Sequence, residues 1–315
     1  MKRLFLFLLL PVYLLSAQNH PIRKQVEQLI KTHRFDQAEK ILLRHKDKPD
    51  ALYYLAVVDL VQGKLNKAVD RAEEGLKKDT NKARFYELLG DIYAVKAQNS
   101  GMLSLIFTVG KIKKNWQKAI ALDSTRLSAY QKLFSFYLMA PGFAGGDKDE
   151  AFKLAQKVLK INPPVGQTML AQYYQKEKQS DKAEQAFTEA LKLAPDSVNI
   201  VKEAAYFYLT QKKIKKARQL FDRILTLKPN DPFSYDALSD WYFKTGKKDS
   251  AIIVLDKALK IDSLNQQILF KKARFLADLG RYVESRALCN RLLKQQMFFV
   301  LRKQILEFLE RIKDK

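Results

Sequence analysis

The sequence contains one cysteine, three histidines and 11 glycines among its 315 residues. A single cysteine excludes an internal disulfide bond, so no disulfide framework holds the fold together. The histidines are His20, His33 and His45, and with one cysteine they leave too few ligands for a structural zinc site. The low glycine content also argues against a multistranded barrel and against a dinucleotide-binding domain.

Residue patterns that carry catalysis are also lacking. No Ser-His-Asp, Cys-His or His-Glu-x-x-His arrangement is present, and the acidic residues form no pair that resembles a glycosidase dyad. The segment Gly145-Gly146-Asp147-Lys148 lacks the Gly-Lys-Ser/Thr ending of a phosphate-binding loop. We therefore predict a protein that is not an enzyme and that uses neither a metal nor another cofactor.

Charge of one sign is abundant. Lysine and arginine number 57 against 34 acidic residues, which gives a formal net charge of +23. Such an excess favours anionic partners such as nucleic acid, lipid head groups or acidic proteins. The alternative is that lysine-rich exposed faces only keep a long helical protein soluble, and the even spread of the charge along the chain favours this alternative.

The N-terminus has the layout of a secretory signal peptide. Lys2 and Arg3 precede an apolar stretch from Leu4 to Leu15, and the small residues Ser16 and Ala17 follow. The stretch is shorter than the roughly 20 apolar residues of a membrane-spanning helix. We predict that residues 1–17 are a signal peptide and that the protein is exported, either to a periplasm or outside the cell. Nucleic acid is then not an expected partner.

Small residues recur every 34 positions in the second half of the chain, at Ala183, Ala217, Ala251 and Ser285. Two further series have the same spacing, one four residues later and one nine residues earlier: Phe187, Phe221, Leu255 and Cys289; Tyr174, Tyr208, Tyr242 and Leu276. Within each period, apolar residues recur at intervals of three and four, as on one face of a helix. The period therefore predicts a pair of helices, with Cys289 buried as a small apolar side chain.

This pattern resembles the tetratricopeptide repeat, in which an aromatic residue, Leu-Gly and Tyr precede Ala, Phe and Pro. Tyr86-Leu89-Gly90-Tyr93 matches the first helix of the repeat, and Ala183-Phe187-Ala190-Pro195 matches the second. The resemblance is to exported bacterial proteins of this type. It implies an all-α fold, a right-handed superhelical solenoid of seven or eight antiparallel helix pairs. We assign the array to residues 18–296 and a C-terminal capping helix to residues 297–315.

Two insertions interrupt the period, near residues 98–108 and at residues 141–146. Both fall between the two helices of adjacent pairs, so we expect them side by side on one edge, which in repeat arrays is often a binding face. The first insertion is either an exposed apolar finger or an extension of the second helix that packs inward. The candidate edge loop consists of Pro141, Gly142, Phe143, Gly145 and Gly146.

The resemblance also implies that the first helix of each pair lines a concave binding face. Aromatic residues between charges of both signs suit a peptide or a partner helix, although some of these aromatics could instead only pack between repeats. One known mode of the family grips a C-terminal carboxylate through Lys and Asn on successive turns, but Tyr206 follows Lys202 here. The candidate partner-binding residues are Lys202, Tyr206, Phe233, Asp236, Asp240, Phe243, Lys244, Phe270 and Arg274.

A second set of basic residues falls at equivalent turns of neighbouring repeats and predicts a lysine-rich edge: Lys178, Lys182, Lys212, Lys213, Lys215, Lys216, Lys247 and Lys248. We predict a scaffold of the cell envelope that binds a protein or a peptide without catalysis. The alternative is a basic adaptor that docks on anionic lipid or envelope polymer through the lysine-rich edge. Nothing in the sequence indicates the oligomeric state.

Overall fold

The structure is a computed structural model that describes residues 21–79, 82–98 and 102–315. Residue 21 and residues 102–107 are described by their backbone only. The predicted signal peptide, residues 1–17, lies outside the described residues. The described residues form 17 α-helices and one short 3₁₀ helix, and they include no strand. The predicted all-α fold class is therefore confirmed.

The helices follow one another as eight pairs and one final helix. In six of the pairs whose connection lies within the described residues, the two helices are joined by two or three residues, and short connections of this kind place successive helices antiparallel. The bounds are α1 Pro21–Lys31, α2 Phe35–Leu43, α3 Pro49–Gln62, α4 Leu65–Lys78, α5 Lys82–Gln98, α6 Met102–Leu122, α7 Leu127–Met139, the 3₁₀ helix Gly142–Ala144, α8 Lys148–Ile161, α9 Pro163–Lys176, α10 Ser180–Leu193, α11 Val198–Thr210, α12 Ile214–Leu227, α13 Pro232–Lys244, α14 Lys248–Ile261, α15 Gln266–Asp278, α16 Tyr282–Leu293 and α17 Phe299–Arg311.

Local sequence signals explain several helix starts. Asn162, Asp231 and Asn265 precede α9, α13 and α15, and each side chain accepts a hydrogen bond from a backbone N–H of the first turn. Such caps satisfy donors that have no partner inside the helix. Pro163 and Pro232 follow two of these caps at the start of the helix, where the missing N–H and the fixed φ of proline are tolerated.

The chain divides into two compact units. Unit 1 extends to Val158 and also includes Phe298–Val300, and unit 2 comprises Leu159–Met297 and Leu301–Lys315. In unit 1, the core around α1, α2 and α3 contains the buried residues Val26, Phe35 and Leu55. Phe298 is part of this core, because its ring lies 5.7 Å from the ring of Phe35. Phe298, which falls within the predicted cap of residues 297–315, therefore packs in the core of unit 1 and precedes the final helix α17.

In unit 2, the 34-residue series account for the packing. The small residues Ala183, Ala217, Ala251 and Ser285 are all fully buried, as are Phe221, Leu255 and Cys289 of the second series. The remainder of the predicted cap packs on the preceding pair, since Ile305 is fully buried and the ring of Phe308 lies 5.6 Å from that of Phe270. Burial of this apolar stripe is what a terminal repeat requires.

The first insertion lengthens a helix. α6 runs from Met102 to Leu122, 21 residues, and Val109 and Trp116 within it are buried. The helical backbone corresponds to the predicted alternative of an extended second helix. The inward orientation of the apolar side chains of residues 102–107 stays a prediction, because these side chains are not among those that the structure describes.

Candidate functional site

A network of polar contacts joins three successive first helices of unit 2. The Tyr206 hydroxyl of α11 donates a hydrogen bond to Oδ2 of Asp240 on α13, at 2.6 Å. Nζ of Lys271 on α15 lies 2.9 Å from the same oxygen and 2.7 Å from Oδ1 of Asp236. The network therefore connects side chains from three repeats on one face, and we refer to these four residues as the unit-2 network.

Burial and charge perturb the groups of this network. The side chains of Asp236 and Lys271 are each 21% exposed. Burial raises the pKa of the Asp236 carboxyl, and the positive charge of Lys271 opposes the rise. Burial acts to lower the pKa of Lys271, but Asp240 and Asp236 outweigh it and raise that pKa. Burial and the neighbouring Asp240 carboxylate raise the pKa of Tyr206, so its hydroxyl remains a donor.

The other predicted lining residues have unequal exposure. Phe233 is 48% exposed at the start of α13, and Lys244 and Arg274 are also exposed. Lys202 is half-buried, and its charge acts on the carboxyl of Asp236. These four side chains leave apolar and basic surface accessible beside the unit-2 network.

Two predicted lining aromatics take part in packing instead. Phe243 stacks on Phe275 with ring centroids 3.9 Å apart. Phe270 is only 7% exposed because Phe308 of α17 packs on its ring. The prediction that Phe270 lines an open face is therefore wrong, since the final helix covers it. A single repeat motif could not have indicated this, because the covering residue lies outside the repeats.

Sequence reasoning missed Lys271, which pairs with both acidic residues of the network. A signal was available, because Lys271 follows Asp236 by 35 residues and Asp240 by 31, close to one repeat length. Residues of successive first helices at this separation come close in a stacked array. The ion pairs could therefore have been inferred from the period.

Unit 1 contains a matching arrangement that sequence reasoning also missed. Lys132 of α7 donates to Glu87 Oε1 at 2.7 Å and to Asp91 Oδ2 at 2.6 Å, and both acidic residues belong to α5. Glu87 and Asp91 are each 4% exposed, and Arg126 also pairs with Glu87. The sequence separations are 45 and 41 residues, each ten more than in unit 2, because the first insertion lies between them.

The candidate edge loop is a tightly packed turn. Phe143 projects from it and is 73% exposed, whereas the neighbouring Ala144 is buried. The loop packs on α6, because a Cβ at Gly145 would lie 2.9 Å from Cγ1 of Val109. The loop therefore contacts α6 one residue after the predicted first insertion, and the side-by-side placement of the two insertions stays a prediction, because the side chains of residues 102–107 lie outside those described. At Gly146 a Cβ would lie only 1.9 Å from the Ala140 carbonyl oxygen, so packing alone explains this glycine.

The predicted lysine-rich edge is partly neutralised. Lys213 and Lys216 both form ion pairs with Glu184 of α10. Several of its lysines also lie over aromatic rings at distances of 5.3–6.0 Å, as Lys182 does over Tyr174 and Lys216 over Tyr208. Contacts of this kind stabilise a protein by roughly 0.5–1 kcal/mol at exposed sites. These lysines therefore have packing roles in addition to any docking role.

Within residues 21–79, 82–98 and 102–315, no group of three or more His, Cys, Asp or Glu side chains could hold a metal ion. None of the helices described in these ranges has the length and apolarity needed to cross a membrane.

The described helices form an array of helix pairs, and comparison with known proteins identifies the kind of repeat that the array contains. Family models of the tetratricopeptide repeat match residues 174–240 and 237–298. The chain therefore contains tetratricopeptide repeats in unit 2, where the 34-residue series is most regular. No curated protein matches the chain as a sequence relative.

Solved structures extend the similarity over most of the chain. Yeast Tom70 aligns with a TM-score of 0.63 at 16% identity, covering 96% of this chain and 66% of its own. A tetratricopeptide repeat protein from Parabacteroides merdae aligns with a TM-score of 0.52 at 15% identity, covering 79% of this chain and 94% of its own. At such low identities the similarity establishes the fold alone. Tetratricopeptide repeats generally mediate protein–protein interactions in non-catalytic scaffolds.

Proposed function

We propose that this protein is a non-catalytic scaffold that binds a protein or an extended peptide through the face formed by α11, α13 and α15. The observation that carries the proposal is the unit-2 network, because it fixes side chains from three repeats relative to one another. Side chains that are already ordered lose little conformational entropy when a partner binds. A fixed face of this kind favours binding of a segment that spans several repeats.

The accessible residues beside the network indicate the chemistry of the partner. Phe233 offers an exposed ring, and Lys244 and Arg274 offer positive charge. Aromatic and arginine side chains supply much of the energy at protein interfaces. We therefore expect the partner to present an apolar side chain close to acidic groups.

We also propose that the scaffold acts in the cell envelope. The support is the basic start, apolar core and small-residue end of residues 1–17. Fractionation of cells that produce the protein with a C-terminal tag tests this location. If the protein is exported, we expect the tagged protein in the envelope fraction or in the medium, shortened by about the length of the predicted signal peptide. Retention of a full-length form in the cytoplasm would contradict the proposed location.

Site-specific crosslinking tests the binding face. A photoreactive amino acid replaces Phe233 in one variant and Ile253, a 59% exposed residue of α14, in a control variant. We expect a discrete crosslinked partner, identified by mass spectrometry, from the Phe233 position alone. With that partner purified, Phe233→Ala and Arg274→Ala should each weaken binding by about tenfold, whereas Ile253→Ala should not. Equal crosslinking at both positions would contradict the proposal.

The lysine-rich edge supports a second candidate function, docking on anionic lipid or envelope polymer. The observation in its favour is that lysines at equivalent positions of successive repeats lie over aromatic rings. Lys182 lies over the ring of Tyr174, and Lys216 lies over the ring of Tyr208. Binding through this edge should be lost between low and moderate salt, because exposed charges are screened. Binding that is insensitive to salt and that depends on Phe233 would favour the scaffold face instead.

A further inference from the structure

Unit 1 contains a cavity of about 300 Å³ close to the start of α1. It is lined by residues of α1, the end of α2, the first turns of α3 and the turn before α5. Its size is at the lower end of the roughly 300–1,000 Å³ that is typical of small-molecule sites. Neither the repeat pattern nor the proposed scaffold face requires such a cavity.

The floor of the cavity is apolar. Val26 of α1, Leu42 of α2 and Ala51 of α3 line it and are at most 5% exposed. These side chains belong to the core of α1, α2 and α3, so their positions are fixed by packing on Phe35 and its neighbours. A ligand that enters the cavity therefore meets rigid apolar surface, which favours an aliphatic or aromatic body.

The walls are polar but internally paired. Arg84 donates to Asp79 Oδ2 at 2.7 Å and to Asp50 Oδ1 at 2.6 Å. Nε of Arg23, which also lines the cavity, donates to Glu27 Oε1 at 3.0 Å. These pairs fix the shape of the entrance, and the acidic partners offset the charge of both guanidinium groups.

Lys48 differs from the other cations that line the cavity. It is exposed at the mouth, directly before α3, and it caps that helix without a side-chain hydrogen bond. Among the described residues, no acidic side chain pairs with it. Its ammonium group therefore remains accessible to a ligand, and His45 lies beside it on the same rim.

We infer that this cavity is a binding site for a small amphiphile with one apolar body and one carboxylate, such as an aliphatic acid of medium chain length. The apolar body would lie against Val26, Leu42 and Ala51, and the carboxylate would contact Lys48 at the mouth. A neutral ligand would leave the lysine without a partner, and a cationic ligand would be repelled by it. The site lies in unit 1 and does not depend on the proposed scaffold face.

Titration calorimetry and methyl NMR with octanoate test the inference on the purified protein, below the concentration at which the acid forms micelles. We expect saturable binding, with shift changes confined to the methyl groups of Ile22, Val26, Leu42 and Ala51. Octan-1-ol should bind about tenfold more weakly, because it lacks the charge that pairs with Lys48.

Charge reversal at the mouth provides the matched control. Lys48→Glu should weaken octanoate binding by about tenfold, whereas Lys46→Glu, two residues earlier in the same turn, should change it by less than about twofold. Ala51→Met, which fills the cavity, should abolish the shift changes if its circular dichroism remains native. Equal effects of the two charge reversals would show non-specific binding to a basic surface and would overturn the inference.

The source of the carboxylate is tested in a parallel titration with N-acetyl-leucine, which represents the end of a peptide chain. Weaker binding than octanoate supports the aliphatic acid. Tighter binding that depends on Lys48 would overturn the assignment to an aliphatic acid, as would the lack of saturable binding by octanoate.

Discussion

The hydroxyl of Tyr206 lies 2.6 Å from Oδ2 of Asp240, one repeat further along the chain, and donates a hydrogen bond to it. The same carboxylate accepts a hydrogen bond from Lys271 in the next repeat. One aspartate therefore connects three repeats through side chains alone. Since repeat arrays are stabilised by contacts between neighbours, these polar contacts supplement the apolar stacking.

Removal of the tyrosine hydroxyl should weaken this connection without disturbing the ring. Tyr206→Phe keeps the edge contact with Phe221, whose ring centroid is 5.3 Å away, but it loses the donor. We expect the free energy of unfolding to fall by about 1 kcal/mol, the usual contribution of such a hydrogen bond. Urea denaturation measures this, and an unchanged midpoint would show that the hydrogen bond contributes nothing.

Loss of the lysine should cost more than loss of the tyrosine hydroxyl. Lys271→Met leaves Asp236 and Asp240 close together and removes the ammonium group that pairs with both carboxylates. We expect a loss of about 2–4 kcal/mol at pH 7, because a largely buried charge is then unpaired. The loss should become smaller as the pH falls, because burial raises the pKa of the Asp236 carboxyl and its protonation relieves the repulsion. Lys257→Met, at an exposed position of α14, is the control, and an equal loss in both variants would contradict the prediction.

The buried acidic residues of unit 1 should make stability depend on pH. Burial raises the pKa of Asp91 from 3.8 to about 6, although Lys132 opposes the rise. Between these values the folded protein holds a proton that the unfolded chain has released, so the free energy of unfolding should fall as pH rises from about 4 to above 6.

The Asp91→Asn variant tests this pH dependence. It retains an oxygen that can accept the hydrogen bond from Nε1 of Trp116, and it removes the titration. Its unfolding free energy, relative to wild type, should increase by about 1 kcal/mol or more between pH 4.5 and pH 7. Asp70→Asn on the exposed surface of α4 should give no such change, and parallel pH profiles for the wild type and Asp91→Asn would refute the assignment.

The edge loop offers a comparison between two glycines four residues apart. Gly146→Ala should destabilise the protein by about 2 kcal/mol or more, because the new Cβ would collide with the backbone of Ala140. Gly142→Ala should change stability by less than about 1 kcal/mol, since a Cβ there meets no atom within 4 Å. Thermal unfolding of both variants measures the difference, and similar melting temperatures would contradict the packing described for the loop.

The single cysteine should be unreactive while the protein is folded. Cys289 is fully buried, and burial raises the pKa of its thiol to about 11. Since the thiolate is the reactive form, a thiol reagent such as Ellman's reagent should modify it slowly at pH 8 and rapidly in urea. Rapid modification without denaturant would show that the last repeat opens readily.

The 34-residue spacing was sufficient to predict the packing of unit 2. Ala183, Ala217 and Ala251 are all fully buried, as expected of small residues that recur once in each helix pair. Cys289 was placed in the buried series by the same spacing. Packing of this kind is local to a repeat, so a single sequence contains enough information to predict it.

The lateral contacts of the candidate site were harder to predict. Asp236 and Asp240 were identified from their helix positions, but their partner Lys271 was not, because its role depends on the neighbouring repeat. Phe270 was misplaced because Phe308, which covers it, belongs to a helix outside the period. For Lys271 the missing information was the partner one repeat length away, and for Phe270 it was a contact with a helix that shares no motif with the repeats.

The ion pairs of Lys132 with Glu87 and Asp91 have a practical consequence. They span ten residues more of chain than the contacts of Lys271 with Asp236 and Asp240, yet the distances between nitrogen and oxygen are similar, 2.6–2.7 Å against 2.7–2.9 Å. Residues inserted between the two helices of a pair therefore do not change which side chains of successive first helices contact one another. An engineer could lengthen or replace the α5–α6 connection to graft a new recognition element there and still preserve the lateral bonding that keeps adjacent repeats aligned.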